Sequence, residues 1–154
     1  MLTAAVTLNL SNQTEGFTIT GSAGVDSITG GAGNDTINGA QNTDTLLDGA
    51  AGTDTLNVAS FASFTSSSDA QIANIENVVL GTSATVNLSN QTEGFNITGP
   101  VTATGFTTNI TGGAGNDTIN SGAPAPPSTA AQARTASPRV RATTPSTAAR
   151  VRTA

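Results

Sequence analysis

The chain contains no cysteine, histidine, tryptophan, tyrosine or lysine, and five phenylalanines supply its 3% of aromatic residues. Without thiols or imidazoles it has no disulfides, no cysteine or histidine catalysis and no zinc site of the usual kind. The scarcity of rings excludes a conventional aromatic core. No apolar run approaches the roughly 18–20 residues of a membrane-spanning helix, so no membrane span is expected. The opening MLTAAVTLNLSN lacks the basic n-region and apolar core of a signal peptide. Three origins are open: the protein stays inside the cell, leaves by another signal, or is a fragment. At 154 residues, 36% hydrophobic and 10% charged, the sequence has the size of one ordinary domain. Its composition fits neither a helical bundle nor a strongly charged disordered chain. Thr, Asn, Ser, Ala and Gly fill it instead, which favours strands and tight turns.

Positive charge is also absent from most of the chain. All ten acidic residues precede residue 121 and all five arginines follow it, so the first 120 residues carry ten negative charges and no basic side chain. Such a segment repels nucleic acid and anionic membrane. With carboxylates and hydroxyls as its only chemistry, it is better suited to binding a multivalent, oxygen-loving cation than to catalysis. It would gain most in a calcium-rich compartment.

What the chain has in abundance is repetition. Aligned on aspartate, GSAGVDSIT (21–29), GGAGNDTIN (30–38), GAQNTDTLL (39–47) and, after the single extra residue Asp48, GAAGTDTLN (49–57) recur every nine residues. GGAGNDTIN returns unchanged at 112–120, and NLSNQTEGF at 9–17 returns at 87–95. Each nonapeptide divides into a turn and a short strand. The glycines permit positive φ. The following residues alternate with period two, which points Ile28, Ile37, Leu46, Leu56 and Ile119 inward and their Thr and Asn neighbours outward. VTLNL, GFTIT, NVVL, TVNL, GFNIT and TNIT read as further strands, with Phe17 and Phe95 as core residues. The segment 66–77 reads as an irregular coil with Ile72 and Ile75 inward. Three-residue strands cannot stand alone, but stacked as a solenoid they bury a continuous aliphatic ladder. The expected fold is all-β, a right-handed parallel β-solenoid (β-roll) with a disordered C-terminal tail. It comprises residues 1–122 as two related units, about 6–58 and 84–120, joined by an irregular coil over 59–83.

GGAGNDTIN resembles the G-G-x-G-x-D-x-U-x nonapeptide of the RTX (repeats-in-toxin, hemolysin-type) calcium-binding proteins, a resemblance that implies a calcium-binding parallel β-helix. The two GGAGNDTIN copies match the pattern fully and the other copies in part. The resemblance implies that calcium sits between turns, held by aspartate carboxylates and by carbonyls of the glycine-rich loops. The candidate ligands are Asp26 with Gly21 and Gly24, and Asp35 with Gly30, Gly31 and Gly33. On the same pattern follow Asp44 with Gly39, Asp54 with Gly49 and Gly52, and Asp117 with Gly112, Gly113 and Gly115. Calcium takes about 6–8 oxygens, and glycine loops can turn several carbonyls toward one point. Successive nonapeptides alternate edges, so same-edge partners stand about 18 residues apart: Asp26 with Asp44, and Asp35 with Asp54. Asp117 has Gly99 at that spacing and forms half a site. A single such aspartate could instead cap its own turn, but four in register favour a metal. Glu15, Glu93, Asp48, Asp69 and Glu76 read as solvated surface charges.

After Gly122 the composition changes: every arginine and five of six prolines lie beyond it. Joining each free third base to the first two bases of the next codon through most of this tail allows G-G-A-G-A-D-S-I-T-A-G-A-G-N-D-T-I-N-G-G-A-G-A-D. The implied aspartates fall at 135, 144 and 153, in the nine-residue register of Asp117. Residues 123–154 therefore read as a disordered, frameshifted stretch of the same array, whose basic charge says nothing of nucleic acid. The sequence as a whole reads as a non-enzymatic, calcium-binding repeat module of a larger secreted or cell-surface bacterial protein. Its surface partner, or its self-assembly, is left open. The alternative is an appended module of a secreted hydrolase whose catalytic domain lies elsewhere, since this chain offers no nucleophile, base and orienter set.

Overall fold

The computed structural model describes residues 4–60, 62–65, 68–100 and 109–120, with the backbone of 133–134 and 141–142. Among the described residues there is no helix; every element is a short strand. In chain order these are β1 (Thr7–Asn9), β2 (Thr18–Thr20), β3 (Ser27–Thr29), β4 (Thr36–Ala40), β5 (Leu46–Asp48), β6 (Thr55–Val58), β7 (Ser63–Phe64) and β8 (Ile72–Ala73). They continue with β9 (Asn77–Leu80), β10 (Thr85–Asn87), β11 (Asn96–Thr98), β12 (Asn109–Thr111), β13 (Thr118–Asn120), β14 (Ala133–Arg134) and β15 (Arg141–Ala142). All pairings are parallel. The chain winds as a β-solenoid between one seven-stranded sheet, β2-β4-β6-β9-β11-β13-β15, and a second wall made of β1-β3-β5-β8 followed by β7-β10-β12-β14.

The expected period-two alternation builds the core. The middle residue of each strand faces inward, and parallel in-register pairing stacks like residues one coil apart. In the long sheet Ile19, Ile37, Leu56, Val78, Ile97 and Ile119 form one column. Facing it are Leu8, Ile28, Leu47 and Ile72, then Phe64, Val86 and Ile110. All but Leu8 of these are buried, and Leu8 packs against the cluster from its end. Each fully buried aliphatic contributes about 1.5–3 kcal/mol, so the columns, not the three-residue strands themselves, hold the fold. Phe95 lies in the core and Phe17 packs against it.

Residues 59–83 differ from the irregular connection expected. They hold β7, β8 and β9, so the stack runs on without a break through β9 of the long sheet. The second wall is divided here: β8 pairs upward with β5 and β7 downward with β10. The length of this coil allows two short strands on one wall, and Ile72 and Ile75 both point inward as expected. Leu46 also departs from expectation. It is only half-buried, whereas Leu47 is buried and pairs with Ile28. The extra residue of the third repeat is absorbed before the strand rather than after it, and a one-residue slip exchanges the two faces.

The expected tail lies outside the described residues except for β14 and β15. These two-residue strands pair in parallel with β12 and β13.

Candidate metal centre

The turns that precede the strands run along the two edges of the solenoid. The residues just before the strands of the long sheet are Phe17, Asp35, Asp54, Glu76, Phe95 and Asp117, stacked one per coil. The opposite edge carries Val6, Asp26 and Asp44. The aspartates of these columns are buried, and each of these carboxylates, with that of the exposed Glu76, receives the backbone N–H of its counterpart one coil earlier. Phe17 N–H donates to Asp35 Oδ1 (2.7 Å), and Asp35 N–H to Asp54 Oδ1 (2.6 Å). Asp54 N–H then donates to Glu76 Oε2 (2.7 Å), and Phe95 N–H to Asp117 Oδ1 (3.0 Å). On the other edge Val6 N–H donates to Asp26 Oδ1 (2.8 Å) and Asp26 N–H to Asp44 Oδ1 (3.0 Å). The five repeat aspartates are at most 4% exposed.

This geometry unites Asp26 with Asp44 and Asp35 with Asp54, as their spacing predicts. Asp117 stands apart. Its neighbour is Phe95 and not Gly99, because that coil is longer than 18 residues. NQTEGFTIT thus occupies the register of a nonapeptide with Phe in the aspartate place, a relation visible in the spacing of Phe17 and Asp35. Among the described residues no three acidic side chains converge as a ready metal cage. Any cation here must also draw on main-chain oxygens.

The predicted glycines lie against these carboxylates and the neighbouring coil. A Cβ on Gly21 would sit 2.7 Å from Asp26 Oδ2, and one on Gly30, Gly49 or Gly112 would likewise meet the Oδ2 of Asp35, Asp54 or Asp117. Gly24, Gly31, Gly33, Gly52, Gly113 and Gly115 lie against main chain of the adjacent coil, too close for a side chain. Positive φ is confined to Gly39 (78°) and Gly52 (135°) among the described glycines. Close approach, rather than the left-handed backbone expected, therefore accounts for most of the repeat's glycines.

The second carboxylate oxygens distinguish the turns. Asp26 Oδ2 accepts from Ser22 N–H (2.6 Å), Asp35 Oδ2 from Gly31 N–H (2.7 Å) and Asp44 Oδ2 from Gln41 N–H (2.7 Å). Asp54 Oδ2 and Asp117 Oδ2 are buried with no hydrogen-bond partner. Burial opposes ionisation of Asp26, but donation from the Ser22 hydroxyl and from the Ser22 and Val6 N–H groups outweighs it and lowers its pKa. Asp44 and Asp54 shift upward. Burial is the main cause in both; Asp26 adds repulsion at Asp44, and Asp35, Glu76 and Asp48 add it at Asp54.

Three acids read as plain surface charge have partners. Glu76 continues the aspartate column, Asp48 Oδ1 accepts from Ala50 N–H (2.9 Å) and Asn74 Nδ2 (2.7 Å), and Asp69 Oδ1 accepts from Thr92 N–H (2.9 Å). The sequence signal for Glu76 was its place directly before the strand NVVL, where the repeats carry Asp before the strand.

Fold and site define a β-solenoid whose edges present stacked, inward-facing carboxylates among glycine turns. The family model of the RTX calcium-binding nonapeptide repeat, four copies, matches residues 18–46 and 102–123. These two segments carry the nonapeptide pattern of that repeat. No curated protein and no solved structure matches the chain. The donor set fits calcium: every candidate ligand is oxygen, and two buried carboxylate oxygens lack a donor. No helix among the described residues is long and apolar enough to cross a membrane.

Proposed function

We propose that this chain is a calcium-binding, RTX-like repeat module of a larger secreted or cell-surface bacterial protein, and that calcium held in its Gly/Asp turns drives its folding. The observation that carries this reading is the stack of buried aspartates in a region with no cationic side chain, two of them with an oxygen that no N–H reaches. Asp26, Asp35, Asp44, Asp54 and Asp117 would hold the ions with carbonyls of the glycine loops around them. Calcium supplies the positive charge that the first 120 residues lack. Binding only the wound state, it stabilises that state by about 2.7 kcal/mol per site at a hundredfold excess over Kd.

Circular dichroism in calcium and in chelator tests this. Strand signal should rise with calcium, and magnesium should substitute poorly because it holds its water and demands octahedral geometry. An identical signal in both conditions would overturn calcium as the folding ligand.

A further inference from the structure

At one turn the chain departs from its own repeat in ways that converge. In Asp26, Asp35 and Asp44 the second carboxylate oxygen accepts an N–H from the same turn, the donor for Asp26 and Asp35 lying four residues upstream. The corresponding donor for Asp54 is Ala50 N–H, and it is turned away, to Asp48 Oδ1 at 2.9 Å. Ala50 takes φ 68° in doing so. Asp54 Oδ2 is left buried and without a donor. A Cβ on Gly49 would touch both this oxygen and the Asn74 carbonyl oxygen, so the two lie close together against the Gly49 main chain. Two electron-rich oxygens with no N–H donor between them attract a cation.

Two further carboxylates are held by the same two residues, without converging on this oxygen. Asp48 Oδ1 is 2.7 Å from Asn74 Nδ2, and Glu76 Oε2 is 2.7 Å from Asp54 N. Each is held through one oxygen, which leaves the other for a ligand, and Glu76 is exposed enough to turn. Asp117 shares the unpartnered oxygen but has Phe95, not an acid, as its neighbour in the column.

We infer that calcium draws the carboxylates of Asp48 and Glu76 onto Asp54 Oδ2 and the Asn74 carbonyl, and that these four groups then make the tightest calcium site of this chain, one that depends on three residues outside the repeat motif. The inference rests on the calcium reading above. More carboxylate charge at a calcium site means tighter binding, and the Asp26–Asp44 turn offers two acids whose second oxygens are already hydrogen-bonded.

The test compares the wild-type chain with Asp48→Asn, Glu76→Gln and Asp44→Asn. Each substitution keeps an amide oxygen that can accept the same N–H. Calcium is titrated by calorimetry, and the calcium concentration at half-maximal strand signal is read by circular dichroism. A variant that folds only at higher calcium still reports its affinity through that midpoint. Asp48→Asn and Glu76→Gln should each weaken the tightest binding event and raise the midpoint by on the order of tenfold, and more than Asp44→Asn does. If calcium binds the wild type but Asp48→Asn and Glu76→Gln match it, or shift no further than Asp44→Asn, this site is wrong while the calcium reading stands. A wild-type chain that ignores calcium overturns both.

Discussion

Gly33→Ala separates two explanations of the repeat's glycines by the sign of its effect. Gly33 is not among the described glycines with positive φ. If its role were only backbone freedom, alanine would restrict the unfolded chain and stabilise the protein by about 0.4–1 kcal/mol. The structure predicts the reverse. A Cβ at Gly33 would lie 2.7 Å from Glu15 O and closer still to Glu15 C and Gly16 N, all main chain of the preceding coil. Ordinary contact requires the coils to part by about 1 Å. That separation would stretch Ala32 N–H to Gln13 O (2.8 Å), Thr36 N–H to Phe17 O (2.7 Å) and Phe17 N–H to Asp35 Oδ1 (2.7 Å) to roughly 3.7–3.8 Å, beyond hydrogen-bond range. Three bonds at about 0.5–1.5 kcal/mol each give about 1.5–4.5 kcal/mol, and the unfolded-state gain reduces this to a net loss of about 0.5–4 kcal/mol. Urea unfolding at saturating calcium, with the m-value checked for constancy, measures it. Stability equal to or above wild type would refute close packing of the coils as the reason for this glycine.

Acidification should partly replace calcium. The raised folded-state pKa values of Asp44 and Asp54 mean that the calcium-free solenoid holds protons the unfolded chain has released. These two groups therefore favour folding as pH falls through their folded values and oppose it as pH rises. Asp26, lowered, acts oppositely: its contribution is present above the ordinary carboxylate range and lost below its folded value. In chelator, strand signal should increase from neutrality into the carboxylate range, and a steady decrease would contradict the assignment. The frameshift reading of residues 123–154 predicts a one-base insertion or deletion near codon 123 relative to an intact array. A frame-restored chain should bind additional calcium beside Asp117, and unchanged stoichiometry would refute it.

Much of the fold was legible because its period is short and its chemistry repetitive. Period-two alternation placed Ile28, Ile37, Leu56 and Ile119 in the core, and intervals of 18 and 19 residues united Asp26 with Asp44 and Asp35 with Asp54. Legibility failed where coils change length. A fixed interval set Gly99 opposite Asp117, whereas the longer coil puts Phe95 there. The same variation hid Glu76, 22 residues after Asp54 and lacking the glycine turn that marks the motif. The glycines were expected for their φ, which holds at Gly39 and Gly52, whereas most of the others are needed for space. Contact between coils is a tertiary fact, and nothing local distinguishes a glycine needed for φ from one needed for space.

The single extra residue near position 48 shows why counting residues could not reach the site. Nonapeptide arithmetic reveals that one residue is inserted, but Leu46 and Leu47 are both apolar, so alternation cannot say which faces inward. Stacking decides it: Leu47 pairs with Ile28 and Asp48 with Thr29, which puts the added carboxylate at the end of β5, two residues before Ala50. From there it takes the Ala50 N–H that would otherwise reach Asp54. The insertion thus acts twice, adding a negative charge and removing a donor, and both changes fall around one buried oxygen. Had the slip gone the other way, with Leu46 inside, the strand would have ended one residue earlier. Asp48 would then have lain in the turn, with no reason to meet Ala50 and Asn74 together. The distinctive chemistry of this edge therefore follows from a packing choice between two adjacent leucines.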